Sequence, residues 1–101
     1  MALTSKQRSQ LRGLASPMDT ILQVGKGGIT ENVIASADEA LRSRELIKGK
    51  VLENFMLTAR EACDALSAAC SAEPVQVIGT KFVLFRRNPK EPKIQLVKAK
   101  K

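Results

Sequence analysis

The sequence predicts one α/β domain with the element order α-β-α-β-α-β-β, in which a four-stranded mixed sheet packs against helices. Three observations predict it. The chain has 101 residues, well inside the range of about 50–250 for one domain. Apolar residues make up 44% and charged residues 27%, enough for one core and an ordinary water-facing surface. Segments with a helical repeat alternate with short extended ones, which implies crossover connections and a largely parallel sheet finished by one antiparallel partner. The domain is expected to span residues 1–97, with 98–101 as a basic tail.

The elements follow in order. Thr4-Ser5-Lys6-Gln7 has the spacing of a capping box, in which the Thr hydroxyl accepts a backbone N–H three residues on and Gln7 reaches back. Leu11, Leu14 and Ala15 follow at helical spacing before Ser16-Pro17, predicting a helix over about residues 5–15 with Arg8 and Arg12 on one face. Residues 18–24 are short, apolar and β-branched at Ile21 and Val24, and predict a strand. Gly25-Lys26-Gly27-Gly28 comes next. Thr30 is a good N-cap, Glu31 suits the positive end of a helix, and Val33, Ile34, Ala37, Ala40 and Leu41 form a helical stripe.

Residues 46–52 alternate. Leu46, Lys48, Lys50 and Leu52 share one face of the predicted strand, and Ile47, Gly49 and Val51 the other; Gly49 weakens it. Thr58-Ala59-Arg60-Glu61 is a second capping box, and Ala59, Ala62, Cys63, Leu66, Ala69 and Cys70 form a helical stripe that Glu73-Pro74 ends. Residues 75–78, a turn at Gly79-Thr80-Lys81, and residues 82–85 predict a hairpin. Beyond Arg87, Pro89, Pro92 and the closing Lys-Ala-Lys-Lys predict a loose tail pinned by Ile94 and Leu96.

Charge and composition exclude several functions. The chain carries +7 at neutral pH, distributed as +3 over residues 1–12, −3 over 13–80 and +7 over 81–101. There is no His and there are two Cys, so neither a four-ligand zinc site nor a His-activated nucleophile can be assembled within one chain. No metal, cofactor or enzymatic activity is expected. The longest apolar run has four residues, where a membrane helix needs about 20. The first residues lack an apolar signal segment, and a cytoplasmic protein is expected; the chain is also expected to be a monomer. Cys63 and Cys70 lie about 10.5 Å apart along one helix, too far to bridge, and are expected as buried reduced thiols. Three Phe and no Tyr or Trp leave little for stacking bases: Phe82 and Phe85 point to opposite faces of the last strand, and Phe55 lies in a turn.

Gly25-Lys26-Gly27-Gly28 sits between a predicted strand and a helix N-terminus. Glycines allow close backbone approach, the helix behind them favours phosphate, and Lys26 adds a cation. The loop is neither a Walker A sequence nor a dinucleotide fingerprint. It matches G-x-x-G, the loop by which KH domains clamp a nucleic-acid backbone; a tight strand-to-helix turn would use the same residues.

Leu11-Arg12-x-Leu14-Ala15, Gly25-Lys26-Gly27-Gly28-Ile29-Thr30, Glu45-Leu46-Ile47-Lys48-x-Lys50 and Val77-Ile78-Gly79…Val83-Leu84-Phe85-Arg86 stand in the order of the YhbY family, which the chain resembles over residues 3–97. These are stand-alone CRM domains, for chloroplast RNA splicing and ribosome maturation. The resemblance implies the fold of the C-terminal domain of translation initiation factor three, RNA binding through the G-x-x-G loop, and association with precursor large ribosomal subunits. Two residues depart from the family pattern. Gly49 stands where an apolar β-branched residue is usual, and Phe85 replaces the usual Tyr before Arg86.

The leading functional expectation is therefore a non-enzymatic RNA-binding protein acting on ribosomal RNA. Its site residues are Gly25, Lys26, Gly27 and Gly28 in the loop, with Lys6, Arg8, Arg12, Lys48, Lys50, Arg86 and Arg87 as phosphate-neutralising cations. Lys98, Lys100 and Lys101 are expected to add only non-specific attraction. The alternatives are a small phosphate- or nucleotide-handling enzyme using the glycine loop, a protein-interaction domain for an acidic partner, and an RNA-splicing cofactor of the same fold. No carboxylate pair near the loop supports the enzyme.

Overall fold

The computed structural model describes residues 3–25, 27–52, 58–88, 90 and 94. Its elements are α1 (Ser5–Ala15), β1 (Leu22–Val24), α2 (Glu31–Arg44), β2 (Leu46–Val51), α3 (Ala59–Cys70), β3 (Glu73–Ile78) and β4 (Lys81–Phe85). Each helix begins where a threonine satisfies an orphan N–H. Thr4 Oγ1 accepts from Gln7 N–H at 3.1 Å while Gln7 Oε1 accepts from Thr4 N–H at 3.1 Å. Thr58 and Glu61 repeat the reciprocal pair at 3.1 and 2.9 Å. Thr30 Oγ1 takes the N–H of Val33 at 3.3 Å.

The sheet order is β1-β2-β4-β3, with β1 parallel to β2 and both other pairs antiparallel. This corrects the expectation of a largely parallel sheet. The crossovers do leave β1, β2 and β3 pointing the same way, but α3 carries the chain past one strand position. The tight turn at Gly79 and Thr80, with Gly79 at φ 59°, folds β4 back into that gap. Two antiparallel ladders thus replace one parallel ladder.

Three element boundaries also differ. β1 is only Leu22–Val24 rather than 18–24, because the preceding backbone is engaged in the exit of α1: Met18 N–H donates to Ala15 O at 2.9 Å. Helix α3 stops at Cys70, with Ser71 in the left-handed region, and β3 starts at Glu73 with Pro74 inside it. An edge strand tolerates proline, and the register shifts there between Pro74 and Gln76. Lys81, expected in the turn, is the first residue of β4.

Helices cover both faces of the sheet. Ala37 and Leu41 of α2 and Ala62, Cys63 and Leu66 of α3 pack on Val24, Ile47, Val51, Phe82 and Leu84. On the opposite face, Leu11 and Ala15 of α1 pack on Leu46, Val75, Val83 and Phe85. Phe82 and Phe85 point to opposite faces as expected, and both are buried. Gly49 is less a weakness than a fit. It lies opposite Phe82 in the ladder, and a Cβ there would overlap the Phe82 ring. Cys63 and Cys70 are buried free thiols, and burial pushes the Cys63 thiol up to about 11.

The end of β4 is fastened to the start of β2. Glu45 is fully buried at φ 68°. Its Oε2 accepts from Asn88 N–H and its Oε1 from Ile94 N–H, each at 2.7 Å, while its carbonyl accepts from Arg86 N–H at 2.8 Å. Ile94 also packs on the α1-side core, as expected of that residue. Leu96, Phe55 and residues 98–101 lie outside the described residues.

Candidate nucleic-acid interface

The glycine loop is a closed turn. Gly28 N–H donates to Gly25 O at 2.9 Å, and Gly28 sits at φ 74°, a conformation that favours glycine. Gly27 has no such constraint: it is exposed, and an added Cβ would meet only Thr30 Cγ2, at 3.4 Å. Lys26 lies outside the described residues. Thr30 follows as the N-cap of α2, so the positive end of a 14-residue helix stands directly behind the loop.

Sheet pairing places other groups at the same end of the molecule. Leu52 N–H donates to Val24 O and Val51 N–H to Thr80 O, each at 2.8 Å, bringing the exit of β2 and the β3–β4 turn beside the loop. One step inward, Gln23, Lys50, Lys81 and Ile78 form a row across all four strands. The alternation that turns Ile47 and Val51 towards α2 and α3 turns this row towards the α1 side, as the sequence pattern required for Lys48 and Lys50. Helix α1 covers only part of that side. Between it and β3–β4 lies a cleft of about 280 Å³ lined by Arg12, Ser16, Lys48, Gln76, Ile78, Lys81 and Val83. An open hollow beside it is bordered by Arg8, Arg12 and Arg60. Among the described residues, no carboxylate lines either one.

The candidate cations therefore separate by position and by occupation. Arg8 and Arg12 reach these hollows, and Lys50 faces the same side, half-buried. Lys6 is exposed on the first turn of α1. Lys48 faces the cleft, but its ammonium is held against the C-terminal end of α1, donating to the carbonyls of Ala15, Ser16 and Met18 at 3.3, 3.2 and 3.5 Å. Arg86 and Arg87 follow β4 at the opposite end of the sheet, away from the loop. Arg86 Nη1 donates to Asp38 Oδ1 at 2.6 Å and Cys70 O at 2.9 Å, and Nη2 donates to Asp38 O at 3.1 Å. It ties α2 and α3 to β4. That guanidinium holds the Asp38 carboxyl below its ordinary range, chiefly through the hydrogen bond. Arg87 is exposed.

A family model described as the CRS1 / YhbY (CRM) domain matches residues 3–86. The chain belongs to the CRS1/YhbY family.

Probable RNA-binding protein YqeI of Bacillus subtilis (strain 168) is 39% identical over 94 residues, covering 93% of this chain and 98% of its own length. A Haemophilus influenzae relative named RNA-binding protein is 38% identical over 94 residues, covering 93% and 94%. Among solved structures, that of SAV1595 from Staphylococcus aureus, a hypothetical protein with a candidate RNA-binding role, superposes with a TM-score of 0.80. It is 45% identical, covering 95% of this chain and 100% of that one.

Within this CRM domain, the sequence reading missed Lys81, Arg60 and Gln76. Lys81 was the most accessible of the three. A two-residue turn at Gly79-Thr80 makes it the first strand residue, with the same parity as Val83 and Phe85. Its position opposite Lys50 depends on β4 pairing with β2, which no local pattern announces. Phe85, at the family's usual Tyr position, is enclosed with Leu46, Leu11 and Val75, where a hydroxyl would have needed a buried partner.

Proposed function

We propose that this CRM domain is a non-enzymatic, monomeric, cytoplasmic protein that binds ribosomal RNA in precursor large ribosomal subunits as an assembly factor. The glycine loop and the basic α1-side face are its contact surface, and residues 1–97 act as one unit. The observation that carries this reading is a juxtaposition. A turn-closed G-x-x-G loop backed by a helix N-terminus shares one end of the sheet with the Lys50–Lys81 row. Loop amides held between strand and helix lose little freedom when phosphate arrives, and the hollows alongside, lined by Arg8, Arg12, Arg60 and Lys81, add long-range attraction. Relatives with RNA binding in their names support the coarser part of the reading.

The test is binding of a labelled large-subunit ribosomal RNA fragment by wild type and Gly27→Asp, together with migration of the protein on a sucrose gradient of cell lysate. Gly27 tolerates a side chain, so the variant keeps its fold while placing negative charge where phosphate would sit. More than tenfold weaker binding is expected, a loss above about 1.4 kcal/mol, with wild type co-migrating with large-subunit precursors. Deleting residues 98–101 should weaken binding less, because exposed mobile charges are screened within about 8–10 Å. Equal binding by wild type and Gly27→Asp would remove the loop from the site.

A further inference from the structure

Lys50 and Lys81 stand directly opposite each other in the β2–β4 ladder. In an antiparallel pair the two Cα atoms lie about 4.5–5.5 Å apart, and like charges in that position destabilise the sheet. Neither lysine has a carboxylate partner among the described residues. The other cation on β2 is spoken for, since the Lys48 ammonium sits on the carbonyls ending α1. The free positive field of this face thus comes from Lys81 and Arg12, which line the cleft, and from Lys50 beside it, and among the described residues no acid lines the cleft. The arrangement is costly in the free protein and becomes favourable once an anion lies between the two ammonium groups.

We infer that the cleft between α1 and β3–β4 is a subsite of the RNA contact surface distinct from the glycine loop, which seats the sugar-phosphate backbone with a phosphate between Lys81, on its lining, and Lys50, the ladder partner beside it. The inference rests on the RNA-binding reading. The chemistry of the lining says which part of RNA is held. Among the described residues no aromatic side chain lines the cleft, so they offer no platform for stacking bases. Phe85 is buried beneath α1, and Phe82 faces the other side of the sheet. What the cleft offers is cations, Gln76, and the aliphatic edge of Ile78, which is 61% exposed. It contributes affinity without sequence preference, and the repulsion stored in the free protein is relieved only when phosphate is bound.

Opposite signs of effect on stability and on binding make the test sharp. The probe is a labelled mixed-sequence single-stranded RNA of about 12 nucleotides. Lys81→Glu turns the opposed pair into an attractive one, so its Tm without RNA should rise by about 1–5 °C while RNA affinity falls at least fivefold. The double variant Lys50→Gln/Lys81→Gln should remain folded and lower the slope of log K against log[salt] by roughly 0.7, the value for one single-strand phosphate contact. Its loss should be similar for oligo-U and oligo-A. Gly27→Asp is measured beside it. If Gly27→Asp weakens binding but the double variant keeps wild-type affinity and slope, the cleft is not a contact and the RNA reading stands. Were wild type not to bind RNA at all, both would fall. Loss of binding to polyglutamate with unchanged RNA binding would reassign the face to an acidic protein and overturn the inference. So would a Tm for Lys81→Glu at or below wild type, since the stored repulsion would then be absent.

Discussion

Replacing Glu45 by Gln changes one atom and should cost a large share of the stability. Both carboxylate oxygens are engaged by backbone donors, Asn88 N–H and Ile94 N–H at 2.7 Å each, in a residue with no exposed surface. A Gln side chain is nearly isosteric but has one acceptor oxygen and one NH2. Whichever way it flips, a buried N–H meets another donor. Hydrogen bonds to charged groups contribute about 1.5–3 kcal/mol, and a stranded buried donor costs about 1–3 kcal/mol. With the two effects overlapping at one site, a net loss of about 2–4 kcal/mol is expected against a total of about 5–15 kcal/mol for a domain. At about 4–8 °C per kcal/mol for a chain of this size, Tm should fall by about 8–32 °C. Thermal melts by circular dichroism measure that directly, and amide hydrogen exchange locates it, because the Asn88 and Ile94 amides should lose protection before those of β2 and β4. A Glu45→Gln protein that melts within about 2 °C of wild type, with both amides still protected, would refute the assignment of Glu45 as the anchor of Asn88 and Ile94.

Gly49→Val should destabilise by about 1–3 kcal/mol or more, because its Cβ would overlap the Phe82 ring; a chemical-denaturation midpoint measures it, and Phe82→Leu in the same chain should restore part of the loss. Lys48→Met should cost about 0.3–1 kcal/mol by leaving the end of α1 without its cation, whereas Lys50→Met should not lower Tm, so equal losses in the two would contradict the division of roles. Asp38 titrates below its unfolded value of about 3.9 because Arg86 stabilises the charged form. Its contribution to stability is therefore present above about pH 4 and lost as pH falls through the lower folded value. Asp38→Asn should flatten the stability curve in that acid window and leave its shape near neutrality unchanged, as pH-dependent melts would record.

What was legible in the sequence was local. The two capping boxes, Thr30 as an N-cap, the helical stripes and the alternation of 46–52 rest on interactions three or four residues apart, or on the two-residue repeat of a strand. So did the α-β-α-β-α-β-β order, the motifs shared with CRM domains, the opposite-facing phenylalanines and the turn-closed glycine loop. Only the tertiary structure decided which strands are neighbours. Skipping a position and inserting β4 between β2 and β3 depends on contacts between residues 31 to 39 apart, whose closure entropy and packing no short window of sequence reports. Every site-level surprise follows from that insertion or from where α1 docks. Lys81 meets Lys50 because β4 pairs with β2. Lys48 is drawn to the carbonyls of α1 because that helix lies on its face of the sheet. Arg86 serves Asp38 and Cys70 O because the end of β4 is brought to α2 and α3. Residue type and spacing told which groups were cations; the three-dimensional neighbours determined which of those charges had already found a carbonyl or a carboxylate, and which were left facing the cleft.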